Sequence, residues 1–435
     1  MDPETTIAHP LTALCEPFPA LEAMDLDPLL QRIGAARIVL LGGASYGTSE
    51  FYRMRARITQ ALIERKRFDF IAIDGDWPDA ARVDHYVQHR SYPPSEWSAF
   101  SRFPTWMWRN GEVRDFVEWL RRHNAEVRPG ERVAFHGLDR YSLYSSIRAV
   151  LEHLDVLDRE AAQLARERYA CLVPWQPDRA PVRGRSAVTR GYESCEREIL
   201  ATLTELLARR VLYAEHDSER SLDAVQHARL SAEAERYYRL MYYGERAVLA
   251  KRDAHMFETL EELLSFREAG GRAIVWTHNA QAGDSAATEA ASRGESNLGH
   301  LCRQKYGDAC FALGFGTDHG TVAAASSWDG AVEPKIIEPA IEGSYERLFH
   351  GTGVPRFSLV LRGRASRLDA ALGETRLERA IGAVYRGDSE PAGRYFEASL
   401  ARQFDELIWF DETRSVVPLA PAVIAAFPDR FPFAL

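Results

Sequence analysis

The chain has little lysine, few cysteines and no long apolar run. Its lysines are Lys66, Lys251, Lys305 and Lys335, so arginine supplies almost all of the positive charge. With 54 basic and 63 acidic side chains, the formal net charge of the 435 residues is −9. This acidic balance argues against a nucleic-acid or membrane-surface partner. A small-molecule substrate or ligand is the expected partner, and the composition implies no particular oligomeric state.

Five cysteines are scattered along the chain, and no two of them form a CxxC pair. An odd number without metal-ligand spacing indicates reduced thiols, as in a cytoplasmic protein. The N-terminal sequence MDPETTIAHPLTALCEP does not resemble a signal peptide, and the absence of about 18 consecutive apolar residues predicts no membrane span. Neither a G-x-G-x-x-G motif nor a P-loop occurs, so no nucleotide or organic cofactor is expected.

Apolar runs that lead into polar or glycine-rich turns recur along the chain, with amphipathic helical patterns between them. They predict strands at 37–41, 68–73, 132–135, 273–276, 309–315, 357–361 and 407–410. This alternation predicts an α/β fold with a mostly parallel central sheet covered by helices.

A long central segment differs from the rest. It is rich in Ala, Glu, Arg and Leu, holds no convincing strand, and is interpreted as a large helical insertion that forms a lid or pocket wall. The predicted organisation is an N-terminal segment (1–35), a first part of the core (36–145), the insertion (146–265) and a second part of the core (266–435).

The first predicted strand leads into a glycine turn and then a helix, in the sequence IVLLGGASYGTSEFYRMR. Ligands bind outside the carboxyl ends of parallel strands, so this turn is expected to belong to the functional site. Ser45 completes a G-x-S-x-G match to a nucleophile elbow. However, α/β-hydrolases place several strands before that elbow, and no HGGG-type segment precedes it here. A glycine turn that contains a serine is therefore the preferred interpretation.

Polar side chains also follow the other predicted strands. Asp74 is the best candidate after the second strand, because capping of the next helix is the preferred interpretation of Asp76. His278 follows the fourth strand as a possible acid, base or oxyanion donor, with a structural role as the alternative. Arg53 and Arg55 lie two positions apart on a predicted helix, so at most one of them faces the strand ends.

Weaker candidates are His136, Asp139, Arg252, Asp253, His255, Asp318 and His319. No set of them has tight metal-ligand spacing such as HExxH, so no metal is predicted. A scattered site that uses His136 and His319 after two strands remains the alternative.

Many longer segments, taken together and in order, resemble the erythromycin esterase family. Its members hydrolyse the lactone of macrolide antibiotics, and many others have no known substrate. The segments are GTSEFYRMRARIT, DWPDAARVDHYV, FPTWMWRN, GLDRYSLYSSIRAVLEHLD, RLMYYG, VWTHNAQAGDSAATE, GFGTDHGTV and FDETRSVVPL. The resemblance implies an α/β core with a helical insertion.

The family's first turn usually reads G-E-x-x-H-G, and its glutamate and histidine belong to the proposed active site, with the histidine as general base. This chain has Gly43 and Tyr46 at those positions. A histidine is mostly a free base at pH 7, whereas an ordinary tyrosine is only about 0.1% ionised. The resemblance therefore implies an altered site in which Tyr46 donates a hydrogen bond.

The family usually has a glutamate after its second strand and H-N-x-H after its fourth. This chain has Asp74 at the first of these places, and in the second it keeps His278 but has Gln281 for the later histidine. The arginine of the family's first helix is taken to be retained as Arg53. Loss of a general base typically slows an enzyme by about 10²- to 10⁴-fold.

Three functions are compatible with these changes: a repurposed tailoring enzyme that acts on a secondary metabolite, a catalytically silent binder, and an esterase or lactonase with rearranged roles. In the last, His278 is the base, with or without Ser45 as the attacking group. The predicted catalytic residues are His278, Asp74, Tyr46 and Arg53. The predicted substrate-binding residues are Ser45, Glu50, Arg55, Asp76, Gln281, His136 and Trp106.

Overall fold

The computed structural model describes the larger part of the chain. The described residues are 11–90, 99–100, 104–139, 154–169, 248–267, 270–328, 330–362, 375–386 and 394–419, with residue 372 and scattered residues between 147 and 228. The strands within them are β1 (Glu16–Pro17), β2 (Ile38–Leu41), β3 (Phe70–Asp76), β4 (Ala134–Asp139), β5 (Ala273–Trp276), β6 (Cys310–Ala325), β7 (Val332–Ile337), β8 (Arg356–Val360), β9 (Arg376–Arg379), β10 (Tyr395–Ala398) and β11 (Glu406–Thr413).

Helices connect and cover these strands. In the described residues the α-helices are α1 (Asp27–Ile33), α2 (Ser49–Lys66), α3 (Trp77–Val87), α4 (Gly111–Glu126), α5 (Arg159–Tyr169), α6 (Val248–Phe266), α7 (Asn279–Ala282), α8 (Leu298–Tyr306), α9 (Tyr345–His350) and α10 (Leu400–Gln403). Short 3-10 helices lie at Leu21–Ala23, Thr105–Met107, Pro129–Glu131, Ser285–Ala287, Glu289–Arg293 and Gly307–Ala309.

The main sheet has the strand order β1-β8-β11-β6-β2-β5-β3-β4. The strands from β11 to β4 run parallel, whereas β8, β1 and β7 attach antiparallel. The chain changes direction across the sheet at β2, which pairs with β5 on one side and β6 on the other. Ligand sites of open α/β sheets lie at such a switch point. The order confirms the predicted α/β fold with a mostly parallel sheet.

Both faces of the sheet are buried, which explains the uninterrupted apolar sequences of its strands. On one face, Val39 and Leu41 pack in an apolar cluster with side chains of α2 and α4. On the other face, Ile38 and Leu40 pack with side chains of α6 and α9. The carboxyl ends of the strands are therefore held between two layers of helices.

Several strands continue beyond the ends predicted from the sequence. β3 reaches Asp76 and β4 reaches Asp139, and these two aspartates are paired after a register shift beyond Ile73. β6 continues past the predicted strand at 309–315, as far as Ala325. Within it Gly320 has a φ of +129°, where a Cβ would lie 2.0 Å from the carbonyl oxygen of Thr413. Glycine at this position lets β6 bend while it remains paired with β11.

Much of the predicted helical insertion at 146–265 lies outside the described residues. The described parts, α5 and α6, are helical, and α6 packs against β4. The four predicted segment boundaries and the lid role stay predictions. No helix in the described ranges is long and apolar enough to cross a membrane. Cys15, Cys302 and Cys310 are free thiols, and the other two cysteines are outside these ranges.

Candidate functional site

The loop after β2 extends the sheet instead of turning sharply. The N–H of Asn279 donates to the carbonyl of Gly43 at 2.8 Å, and the N–H of Ala44 donates to the carbonyl of Phe315 at 3.1 Å. The carbonyl of Ala44 in turn accepts the N–H of Ile381 at 2.8 Å. These bonds hold the loop extended between the ends of β5 and β6, so the next side chains are presented at the switch point.

Ser45 does not have the surroundings of an activated nucleophile. It is buried, and its Oγ shares a short hydrogen bond with the hydroxyl of Thr48 rather than with a histidine. The described non-glycine residues with positive φ are Arg67, His89 and Phe100, so Ser45 lacks the strained backbone of a nucleophile elbow. The G-x-S-x-G match is therefore a glycine-containing loop stabilised by two hydroxyl groups.

Tyr46 and Asp74 join the first two strand ends. The Tyr46 hydroxyl donates a short hydrogen bond to Oδ2 of Asp74, and the Thr277 hydroxyl donates to the same oxygen at 3.1 Å. Burial, followed by the negative charge of Asp74, raises the pKa of Tyr46 well above that of an ordinary tyrosine. Tyr46 is therefore a hydrogen-bond donor at neutral pH and not a base.

Arg252 of α6 connects Asp74 to the end of β4. Its guanidinium contacts Oδ1 of Asp74, and its Nε donates to Oδ2 of Asp139 at 2.8 Å. Burial raises the pKa of Asp139 despite the attraction of Arg252. Burial likewise raises the pKa of Asp253, the residue after Arg252 on α6, to about 7. The negative charge of Asp74 raises this pKa further. Two aspartates thus bind one guanidinium, and the charges of this group act on a third aspartate, Asp253.

His278 occupies the N-cap of α7. Its Nδ1 accepts the N–H of Ala280 at 3.1 Å, which assigns the proton of the neutral ring to Nε2. Burial lowers the pKa of His278 to about 4, although the Ala44 carbonyl acts in the opposite direction. Nε2 is buried and makes no aligned hydrogen bond with a described residue. At pH 7 this imidazole is a neutral donor whose Nδ1 lone pair is occupied.

The ring of His278 lies beside the ring of Tyr46, with the centroids 5.1 Å apart. The structure therefore brings together three of the four predicted catalytic residues, Tyr46, Asp74 and His278, and places the fourth, Arg53, elsewhere. Arg53 is 46% exposed, forms an ion pair with Glu22, and lines a surface cavity of about 480 Å³ between α2 and α4. Its predicted position at the strand ends is corrected accordingly.

Arg55 is the arginine of α2 that reaches the strand ends. Its side chain is fully buried; Nε donates to the carbonyl of Gly42 at 2.8 Å, and Nη2 donates to that of Thr277 at 2.7 Å. Arg55 follows Phe51 by four residues and so shares its buried helix face, whereas Arg53 lies on the opposite side. This spacing was a usable signal in the sequence.

The environment of Gly43 is determined by the same guanidinium. A Cβ at this position would lie 2.4 Å from Nη2 of Arg55. Because glycine leaves this space open, Arg55 extends past the loop and bonds the carbonyls of Gly42 and Thr277. A carboxylate at position 43, as in the resembled family, would lie against a buried guanidinium.

Three predicted binding residues lie near the ends of these elements. Glu50, in the first turn of α2, accepts the N–H of Arg414 at 2.8 Å. Asp76 is the N-cap of α3, although its side chain makes no capping hydrogen bond there. Gln281 is half-buried on α7, and its Oε1 has no hydrogen bond with the described part of the chain. Of the three, Gln281 has the unsatisfied polar group expected of a ligand contact.

The remaining predicted binding residues are packed in the interior. His136 stacks on Trp77 with the ring centroids 5.2 Å apart, and Trp106 is buried. Arg252 and Asp139, by contrast, were weak candidates and lie at the centre of the cluster. Asp139 follows a predicted strand, but Arg252 comes from a helix of the insertion, where no local pattern marks it.

Among the described residues, Asp318, His319 and His350 lie close enough together to hold a metal ion. One ligand atom from each side chain lies within 4.8 Å of the others. Among the described residues, the hydrogen bonds of this group are separate from those that Arg252 makes with Asp74 and Asp139.

The fold and the sequence have clear relatives. Residues 63–413 match the model of the erythromycin esterase family. The chain is similar to a solved succinoglycan biosynthesis protein (TM-score 0.76, 17% identity, covering 96% of this chain and all of the other). It is also similar to a protein from Bacillus cereus (TM-score 0.77, 21% identity, 96% and 99% covered).

A third similar structure is a mutant of the erythromycin esterase EreC in its open conformation. Its TM-score is 0.64 at 15% identity, with 95% of this chain and 100% of that chain covered. At such identities these structures establish the fold, and the family model, which spans most of the chain, establishes the family. The chain belongs to the erythromycin esterase family.

Proposed function

We propose that the protein is an enzyme that modifies a secondary metabolite at the carboxyl ends of β2 to β5, with a buried carboxyl group as its proton-transfer group. The carrying observation is that two buried carboxylates, Asp74 and Asp139, share the guanidinium of Arg252 beside a third buried carboxyl group, Asp253. Burial and the negative charge of Asp74 raise the pKa of Asp253 to about 7, so this carboxyl group exchanges a proton near neutral pH. A carboxyl group with a pKa near the working pH suits general acid–base catalysis.

The neighbouring groups have complementary roles in this proposal. The neutral Nε2–H of His278 donates to a carbonyl oxygen of the substrate, and Tyr46 keeps Asp74 oriented. A secondary metabolite is inferred as the substrate class from the family, which is defined by esterases of a macrolide antibiotic. Hydrolysis by an imidazole base receives less support, because Nδ1 of His278 is occupied.

A second candidate function is binding without chemistry. It is favoured by the hydrogen bonds of Asp74, because Arg252 engages one carboxylate oxygen while Tyr46 and Thr277 engage the other. A carboxylate held by three donors is well placed to maintain the shape of a pocket. In this case the family scaffold would sequester a metabolite.

The test uses the purified full chain, with erythromycin and a panel of carbonyl-containing secondary metabolites. Thermal shift identifies ligands, and mass spectrometry detects any product. The proposal predicts a modified metabolite whose formation falls at least 100-fold in Asp253→Asn, as for loss of a general acid. Asp405→Asn is the matched control, because Asp405 is also buried and bound by two arginines, Arg303 and Arg362, at the opposite ends of the strands.

Two other results would overturn the proposal. Thermal stabilisation without any change in ligand mass would favour the binder. Addition of one water to a lactone, lost in His278→Gln but kept in Asp253→Asn, would establish an esterase with His278 in the catalytic role.

A further inference from the structure

A second polar cluster lies on β6 and β11, where α9 ends. It contains two imidazoles and two carboxylates: His319, His350, Asp318 and Asp411. Nδ1 of His319 is 3.0 Å from Oδ2 of Asp318, and Nδ1 of His350 is 2.8 Å from Oδ1 of Asp411. Nδ1 of His350 also lies 3.7 Å from Oδ2 of Asp318. Side chains from three separate segments therefore converge on one point.

The ligand atoms of Asp318, His319 and His350 are close enough together to share one metal ion. Nitrogen and oxygen ligands at about 2.0–2.2 Å from Zn²⁺ are separated from one another by roughly 3.3 Å. The distances of 2.8, 3.0 and 3.7 Å lie on both sides of that value. Hydrogen bonding explains the two shorter approaches, but 3.7 Å from His350 to Asp318 is too long for a hydrogen bond. A cation bound between Asp318, His319 and His350 accounts for the approach of His350 to Asp318.

The surroundings orient the central ligand. Asp318 is 1% exposed, and its Oδ1 accepts the N–H of Ala340 at 3.2 Å, which leaves Oδ2 directed to the imidazoles. The buried guanidinium of Arg379 holds the backbone by donating to the carbonyls of Thr317 and Asp318. Metal sites depend on such outer contacts.

The two histidines provide access for an ion. Each has a side-chain exposure of 37%, and Asp411 has 25%, so a cation reaches the cluster directly from solvent. Two imidazoles combined with carboxylates favour divalent transition metals over Ca²⁺ or Mg²⁺, which prefer oxygen ligands alone.

We propose that Asp318, His319 and His350 bind one divalent transition-metal ion of the Zn²⁺ class, with Asp411 beside His350. The site is independent of the proposed proton-transfer cluster around Arg252. Local sequence patterns do not reveal it, because His350 and Asp411 are distant in sequence from the Asp318-His319 pair.

The experiment uses the tag-free full chain after treatment with chelator, titrated with Co²⁺ and then with Zn²⁺. The expected result is one equivalent of Co²⁺ with the visible absorption of a four-coordinate ion, displaced by Zn²⁺. His350→Gln and His319→Gln should each weaken Co²⁺ binding at least tenfold. His300→Gln is the matched control and should leave binding unchanged, since His300 pairs with a single carboxylate, Asp284, at 2.8 Å.

Circular dichroism and melting of the metal-free variants separate loss of a ligand from loss of the fold. The proposal is overturned if the unaltered chain binds no Co²⁺. It is equally overturned if folded His350→Gln and His319→Gln bind Co²⁺ as tightly as the unaltered chain, which would leave the cluster as hydrogen-bonded pairs.

Discussion

The phenolic hydroxyl of Tyr46 donates a hydrogen bond to the buried carboxylate of Asp74. This bond connects the loop after β2 to the end of β3, and Arg252 and Thr277 supply further donors to the same carboxylate. A tyrosine at this position therefore orients a neighbouring carboxylate, whereas a histidine there could itself accept a proton.

Replacement of Tyr46 by phenylalanine tests this connection. Tyr46→Phe removes a donor from a buried carboxylate and should lower the free energy of unfolding by about 1–3 kcal/mol in urea denaturation. The control is Tyr86→Phe, because Tyr86 donates at 2.7 Å to Glu118 in a less buried setting, where the loss should stay below about 1 kcal/mol. Equal losses in the two variants would contradict a special role for the Tyr46 bond.

The two arginines of α2 provide a matched pair. Arg55→Lys replaces a fork that bonds the carbonyls of Gly42 and Thr277, so we expect a loss of about 2–4 kcal/mol in stability. Arg53→Lys changes an exposed ion pair and should alter stability by less than about 0.5 kcal/mol. Denaturant titration of both variants measures the two losses of stability. A larger loss in Arg53→Lys than in Arg55→Lys would show that Arg53, not Arg55, is the structural arginine of α2.

The space beside Gly43 makes a further prediction. In Gly43→Ala the new methyl group meets Nη2 of Arg55, so the guanidinium must shift and stability should fall by about 1–3 kcal/mol. Gly130→Ala is the comparison, since no atom lies within 4 Å of a Cβ built there. Thermal unfolding of the two variants measures the difference. If Gly43→Ala leaves thermal stability unchanged, Arg55 is not held in place.

The raised pKa of Asp253 predicts a pH dependence of stability. Its folded value of about 7 exceeds the unfolded value near 3.9, so the native state binds more protons between these pH values. The contribution of Asp253 to the free energy of unfolding is fully present below about pH 4. It is lost as the pH rises through 7, and the loss reaches about 4 kcal/mol.

Asp253→Asn should remove this slope. His278 acts in the opposite direction: with its folded pKa lowered to about 4, its contribution is present at neutral pH and lost on acidification. Because both proteins contain His278, its effect cancels when the free energies of unfolding are subtracted at each pH. A difference that stays constant from pH 4 to 7 would show that Asp253 titrates normally.

Local sequence patterns were sufficient for the strands and for part of the site. The runs before Gly42, Asp74 and Thr277 are buried strands, because apolar residues covered on both faces leave an uninterrupted signal. The parallel order of these strands then brings Tyr46, Asp74 and His278 together. The sequence pattern does not predict the true end of β6, because the polar residues after Phe315 look like a turn. In the structure these residues remain paired.

The rest of the site depends on contacts between distant segments. Arg252 reaches Asp74 across 178 positions, and nothing in the helix that carries it marks that contact. The choice between Arg53 and Arg55 was different, because the phase of the helix relative to Phe51 already favoured Arg55. His350 completes its cluster only through the packing of α9 against β6 and β11.

The protonation state of His278 separates a neutral hydrogen-bond donor from a general base, and nitrogen-15 NMR of histidine-labelled protein measures it. His278→Gln assigns the resonance. We expect a neutral ring with the proton on Nε2 from pH 5 to 8, and a pKa of about 4. Titration near the ordinary histidine value of about 6.5, or a proton on Nδ1, would contradict it and return His278 to the role of a general base.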